Sequence, residues 1–117
     1  MADDDSTPTT RELADVPAIE VISRAAVMLM SAAAEKLGLG EDDPDTSPHR
    51  DLDEARRLIS ALAGLVGSAR ADLGFHAAPL LDGVQALQQA FREQSVHPDA
   101  PGEGPGEAPV RGTGRRD

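Results

Sequence analysis

The sequence predicts an all-α fold, a three-helix up-down-up bundle, and three observations carry that expectation. Apolar residues recur at helical spacing in three separate stretches, each bounded by capping or breaking residues. The alternating β-branched and aromatic runs that mark strands are missing: the chain has no Trp or Tyr, and only Phe75 and Phe91 as aromatics. The connections between the stretches are short, which favours antiparallel neighbours. Ala, Leu, Val, Ile and Met must therefore build the core.

With 117 residues the chain has room for a single domain. Residues 1–14 are acidic, contain Ser-Thr-Pro-Thr-Thr and lack apolar periodicity, so a disordered tail is expected there, with a turn at Glu12-Leu13-Ala14. Residues 15–95 are assigned to the three-helix domain. Residues 96–117 hold four prolines and five glycines and are expected to form a second disordered tail.

The first helix is expected from Pro17 to Leu37. Asp15 is placed to accept a bond from the free amides of the first turn, proline suits the opening positions, and Gly38 suits a left-handed close. Ile19, Ile22, Ala26, Leu29, Ala33 and Leu37 form one apolar stripe, and Val21, Ala25, Met28 and Ala32 form a second. Only Glu20, Arg24, Ser31 and Glu35 make a plainly polar strip.

The second helix is expected to start at Leu52. Asp51 is its N-cap, and Glu54 three residues on completes a capping-box pattern with acidic groups at the positive end of the helix dipole. Ala55, Leu58, Ile59, Leu62, Leu65, Val66 and Ala69 occupy one face, while Asp53, Arg56, Arg57, Ser60 and Ser68 occupy the other. Asp72-Leu73-Gly74 should break this helix. The third is expected from about Ala78 to Gln94, with Pro79 in its first turn and Leu80, Val84, Leu87 and Phe91 as core. Asp82, Gln85, Gln88, Gln89, Arg92 and Glu93 are expected on its solvated side, and Gly83 marks a close approach of helices.

Charge and composition exclude several functions. The chain carries a formal net charge of −10, and within residues 13–94 thirteen acidic residues stand against seven basic ones, a net −6. A surface of that sign repels nucleic acid, whose binding depends on Lys and Arg neutralising phosphates, so no direct nucleic-acid contact is expected. The absence of Cys removes disulfides, thiolate nucleophiles and zinc-thiolate sites and fits a reducing compartment. No basic and apolar leader opens the sequence, so a cytoplasmic location is expected.

One loop imitates a metal site. Asp43, Asp45, Ser47, His49, Asp51 and Glu54 stand at positions 1, 3, 5, 7, 9 and 12 of a helix-flanked segment, the ligand spacing of a calcium-binding EF-hand. Pro48 occupies the sixth position, where the turn needs a positive φ that proline cannot adopt, and Arg50 occupies the normally apolar eighth. A rigid acidic loop ending in a helix cap is expected instead. His49, His76 and His97 lack helical metal-site spacing, and Gly102-Glu-Gly-Pro-Gly106 has neither the strand nor the helix of a phosphate loop.

Ser23, Ser31, Ser60 and Ser68 sit on helices without a nucleophile elbow, and Glu41-Asp42-Asp43 is an exposed run with nothing to separate its acidities. No enzyme activity and no cofactor are expected. The apolar run Ala25–Ala34 is too short, and is flanked too closely by Glu20, Arg24 and Glu35, to cross a membrane. The second stripe of helix one is then best used in association. Small Ala25 and Ala32 alternating with Val21 and Met28 suit close helix contact and a symmetric homodimer, unless the segment around Leu13 and Val16 covers the stripe.

The order of segments carries a resemblance. An Ala-rich helix ends in Leu37-Gly38, an acidic loop follows with Asp43-Pro44, and then comes Asp51-Leu-Asp-Glu-Ala-Arg-Arg-Leu-Ile-Ser-Ala-Leu62. From about Pro17 to Ser95 this resembles the small bacterial family called domain of unknown function 1844, looking most like its actinobacterial branch. It differs from the wider pattern at Ser60, where an acidic residue is usual, and at Asp72 to Ala78, where a tighter Gly-Asn-Leu-Thr type of turn is usual. The resemblance implies a helical fold and a bacterial setting, carries no catalytic residues, and hints at an association with translation. The expected function is a non-enzymatic helical interaction protein that self-associates through helix one and recruits a basic partner through its acidic loop and tails. The alternatives are a translation-associated regulator that binds a basic protein, or a small-ligand-binding protein.

Overall fold

The computed structural model describes residues 13–107. The stretches 1–12 and 108–117, which hold most of the expected N-terminal tail and the end of the C-terminal one, lie outside the described residues. Three helices form the domain: α1 (Ala18–Lys36), α2 (Leu52–Leu73) and α3 (Ala77–Gln94), with short 3-10 turns at Pro44–Thr46 and Gly74–His76. They run up, down and up, so the end of α1, the start of α2 and the end of α3 meet at one pole.

The start of α1 departs from expectation. Pro17 itself holds the capping position in extended conformation, and no side chain bonds to the first turn, so Asp15 is not a cap. The reason is local. Residues 13–15 are already helical, and proline pushes Val16 out of the helical region, which leaves Asp15 beyond reach of the first free amides. At the other end the expectation holds. Gly38 takes φ +71°, its N–H donates to the Glu35 carbonyl at 3.0 Å, and the Leu39 N–H donates to the Ala34 carbonyl at 3.0 Å, a complete Schellman close.

At the head of α2, Asp51 Oδ1 accepts from the Glu54 N–H at 3.1 Å. The reciprocal half of the expected capping box is not made. The Asp51 N–H donates instead to the Lys36 carbonyl at 2.7 Å, fastening α2 to the end of α1, and the Glu54 carboxylate pairs with Arg57. Glu54 is thus capped rather than capping.

Leu37, Ile59, Leu62, Val66 and Leu73 are the largest fully buried side chains, joined by Ala26, Ala33, Val84, Leu87 and Phe91. The first stripe of α1 and the apolar faces of α2 and α3 meet here as their periodicity requires. Gly83 gives the Met30 side chain of α1 room against α3, since a Cβ there would collide with Met30 Cε.

Gly64 and Gly67 lie inside α2, and among the described residues no heavy atom comes within 4 Å of where a Cβ would stand. Alanine at Gly67 is expected to raise the unfolding free energy by about 0.5–1 kcal/mol. The check is a later urea midpoint followed by circular dichroism; an earlier midpoint would mean that something outside the described residues packs there.

A polar staple closes the shared pole. Gln94 Nε2 donates to the Leu37 carbonyl at 2.8 Å, occupying one of the acceptors left open at the end of α1, while Gln94 Oε1 accepts from Arg50 Nε at 2.8 Å. Arg50 also reaches Asp45 at 3.6 Å, tying in the acidic loop.

The structure differs from the sequence expectation over residues 96–107. This stretch folds back as a strap over α2 and α3, burying Gly104 and Pro105. Gln88 and Arg92, expected in solvent, are half-buried beneath it. Its large apolar side chain, Val96, stays exposed, and apart from buried Pro105 the strap is held by polar contacts and by glycine's ability to approach a helix closely.

Candidate functional site

The α1 surface comes first, because the bundle uses only part of it. Ala26, Ala33 and Leu37 are fully buried, and Ile19, Ile22, Leu29, Met30 and Ala34 pack against the core. The other stripe points away. Met28 is 73% exposed and Val21 37% exposed, Ala25 is exposed, and Ala32 is half-buried. The four therefore share one strip running along most of α1. Val27, 54% exposed, lies on the far edge of the helix among Glu20, Arg24 and Ser31, and adds a hydrophobe that sequence reading did not single out. Its signal was available: a valine at polar spacing.

Residues 13–16 do not cover this strip. Leu13 is itself 55% exposed and Val16 half-buried, so they add apolar surface at the N-terminal end of α1 instead of hiding it. Phe75, 87% exposed in the turn between α2 and α3, lies beside His76 with the rings tilted by 40° and their centroids 4.5 Å apart. His76 is exposed, and no side-chain hydrogen bond of its ring is found among the described residues.

The calcium-like loop is engaged internally. Asp43 Oδ1 accepts from the Asp45 N–H at 3.1 Å and caps the Pro44–Thr46 turn; Ser47 Oγ accepts from the His49 N–H at 3.2 Å; Asp51 caps α2. With Asp45 drawn to Arg50 and Glu54 to Arg57, the six spaced residues do not converge. Among the described residues no three His, Asp or Glu side chains are grouped to hold a metal ion. Glu41 and Asp42 remain exposed at the tip of the loop.

A broad groove at the opposite pole is lined by Gly67, Ser68, Arg70, Ala71, Ala77 and Leu81. Its walls are mostly small residues, and Ser68 and Arg70 are the side chains there that could orient a small molecule.

No curated protein and no solved structure matches this chain. A family model described as Domain of unknown function (DUF1844) matches residues 18–93, from the first residue of α1 to the last turn of α3, and the chain belongs to that family.

Proposed function

We propose that the protein is a non-enzymatic helical interaction module that self-associates through α1. The observation that carries this reading is the exposure of Met28 at 73% on a strip continued by Val21 and Ala25. A Met, Leu or Val side chain gains about 1.5–3 kcal/mol when taken fully out of water. A two-fold axis crossing α1 counts each such gain twice, because a symmetric interface uses the same patch on both copies. Ala25 and Ala32 add little bulk, which lets two helix backbones approach. The Glu20–Arg24 pair at 2.6 Å flanks the strip on the polar side, where charge belongs at an interface rim.

Sedimentation velocity at tens of micromolar should give the mass of a dimer. Met28→Glu should weaken the association by at least about a hundredfold, since each copy would then bury a carboxylate instead of a thioether. A clean monomer for the parent chain at that concentration would end this reading.

The acidic loop favours a second role. Exposed Glu41 and Asp42 suit a basic protein partner, in the manner of a translation-associated regulator. Capture of such a partner would weaken steeply with salt, because exposed charges are screened beyond roughly 10 Å at 0.1 M.

A further inference from the structure

The strap shows what the α2–α3 surface recognises, because a defined peptide lies on it. Asp99 Oδ2 accepts from Arg56 Nη2 at 2.9 Å, and the guanidinium of Arg56 is held over the Phe91 ring, 4.9 Å from its centroid. Arg92 Nη1 donates to the Asp99 carbonyl at 3.2 Å. Six residues of strap later, Gln88 Nε2 donates to the Pro105 carbonyl at 3.0 Å. Both carboxylate oxygens of Glu107 then accept from Arg92 Nη2, at 2.9 and 2.8 Å.

Between the two carboxylates the surface also reads shape. Gly106, at φ +72°, lies so close to α2 that a Cβ would stand 2.5 Å from the Ala63 Cβ and 3.3 Å from the Ile59 carbonyl oxygen. Glu107 Oε1 additionally accepts from the Gly104 N–H at 3.2 Å, so the Gly-Pro-Gly-Glu turn presents its carboxylate preformed. What fits is an acidic residue, four spacers, and Gly-Pro-Gly-Glu.

We propose that this surface, built on Arg56, Gln88 and Arg92, is a docking site for an acidic Gly-Pro-containing segment of a partner protein, and that residues 99–107 occupy it in cis as a competing ligand. Two observations support a strap that comes off without disturbing the bundle. Val96 is 86% exposed and His97 and Pro98 are exposed, so among the described residues nothing packs over the connector. The family match ends at residue 93, so the strap lies outside the matched helical unit. Charge complementarity selects the ligand: the arginine pair is a local positive site in a chain of net charge −10. The cis segment guards it because a short tether holds a ligand at an effective concentration in the millimolar range, roughly, which a free peptide must exceed.

The test uses the full chain carrying Met28→Glu, so that association through α1 plays no part, and a fluorescein-labelled peptide of residues 97–107. Adding Glu107→Lys to the chain sets two cations against each other and frees the surface. This chain should bind the peptide, by anisotropy, about tenfold or more tightly than the chain with its native strap. Adding Arg92→Gln should remove the gain. A peptide with alanine for Gly106 should fail to bind, and so should a scrambled peptide. Circular dichroism checks that each chain remains helical, and Glu107→Gln replaces Glu107→Lys if the latter does not. Equal binding to the strapped and freed chains, no binding to either, or equal binding of the scrambled peptide would overturn the proposal. A Met28→Glu chain that still dimerises, and loses the dimer on Glu107→Lys, would give the surface to a second copy's strap and overturn the assignment to a partner.

Discussion

Leu62→Ala is expected to lower the unfolding free energy by about 3 kcal/mol. Leu62 is fully buried in the middle of α2, the helix that packs on both of the others. Removing three carbons there loses transfer free energy, and the neighbours cannot collapse around the space without shifting a second helix pair. A domain of about 80 residues has a total stability of only about 4–12 kcal/mol, so the loss is a large fraction of the whole. The melting temperature should fall by roughly 12–24 °C. Because the chain has no Trp or Tyr, the measurement is far-ultraviolet circular dichroism in urea. A lowered midpoint with an unchanged slope supports a single cooperative core; a loss below about 1 kcal/mol would show that Leu62 does not fill a dry site.

Gly38→Ala is expected to cost about 2–3 kcal/mol, from two separate sources. The first is conformational, since φ at Gly38 is +71°, a region alanine enters only under strain. The second is steric: a Cβ would stand 2.8 Å from the Pro44 carbonyl oxygen and 3.0 Å from the Ser47 Cβ, and the nearer of these is backbone of a loop pinned by its own turn. Gly38→Asn separates them. Asparagine tolerates left-handed backbone, so it should recover part of the first cost and none of the second. In both variants the Leu39 amide, bonded to the Ala34 carbonyl at 3.0 Å, should exchange with solvent faster.

These two residues also show why much of the fold was legible. Leu62 belongs to a stripe whose spacing follows the helical period, and burial of such a stripe is the cheapest way for a chain lacking aromatics to remove apolar surface from water. Gly38 follows Leu37, the apolar residue that caps α1, at a left-handed position where glycine is the least strained choice. Asp51 was legible for the same reason, being a capping side chain directly before a periodic run. All three signals are local, carried within a few residues.

What escaped was non-local. Asp15 had the right chemistry for a cap, but Pro17 and the helical residues 13–15 take the geometry away from it. Glu54 lost its capping role because the Asp51 amide found a partner across the loop, on Lys36. Gln88 and Arg92 read as solvated by their helical position and are half-buried because a segment fifteen residues beyond Arg92 returns to them. Composition counted the strap's glycines and prolines as evidence against order. In the folded chain Gly106 is what permits close contact with α2.

For the exposed strip on α1, sequence alone determined that the helix has two apolar stripes, because periodicity counts residues on each side of a helix. Only the tertiary structure decided which stripe the bundle consumes: Ala26, Ala33 and Leu37 go inside and Met28 stays out. The sequence by itself also determined three helices, their order and most of their ends, since these depend on spacing, caps and breakers. The strap, the Gln94 staple and the seating of Met30 on Gly83 were decided by the tertiary structure, because each joins residues far apart in the chain whose encounter no local pattern encodes.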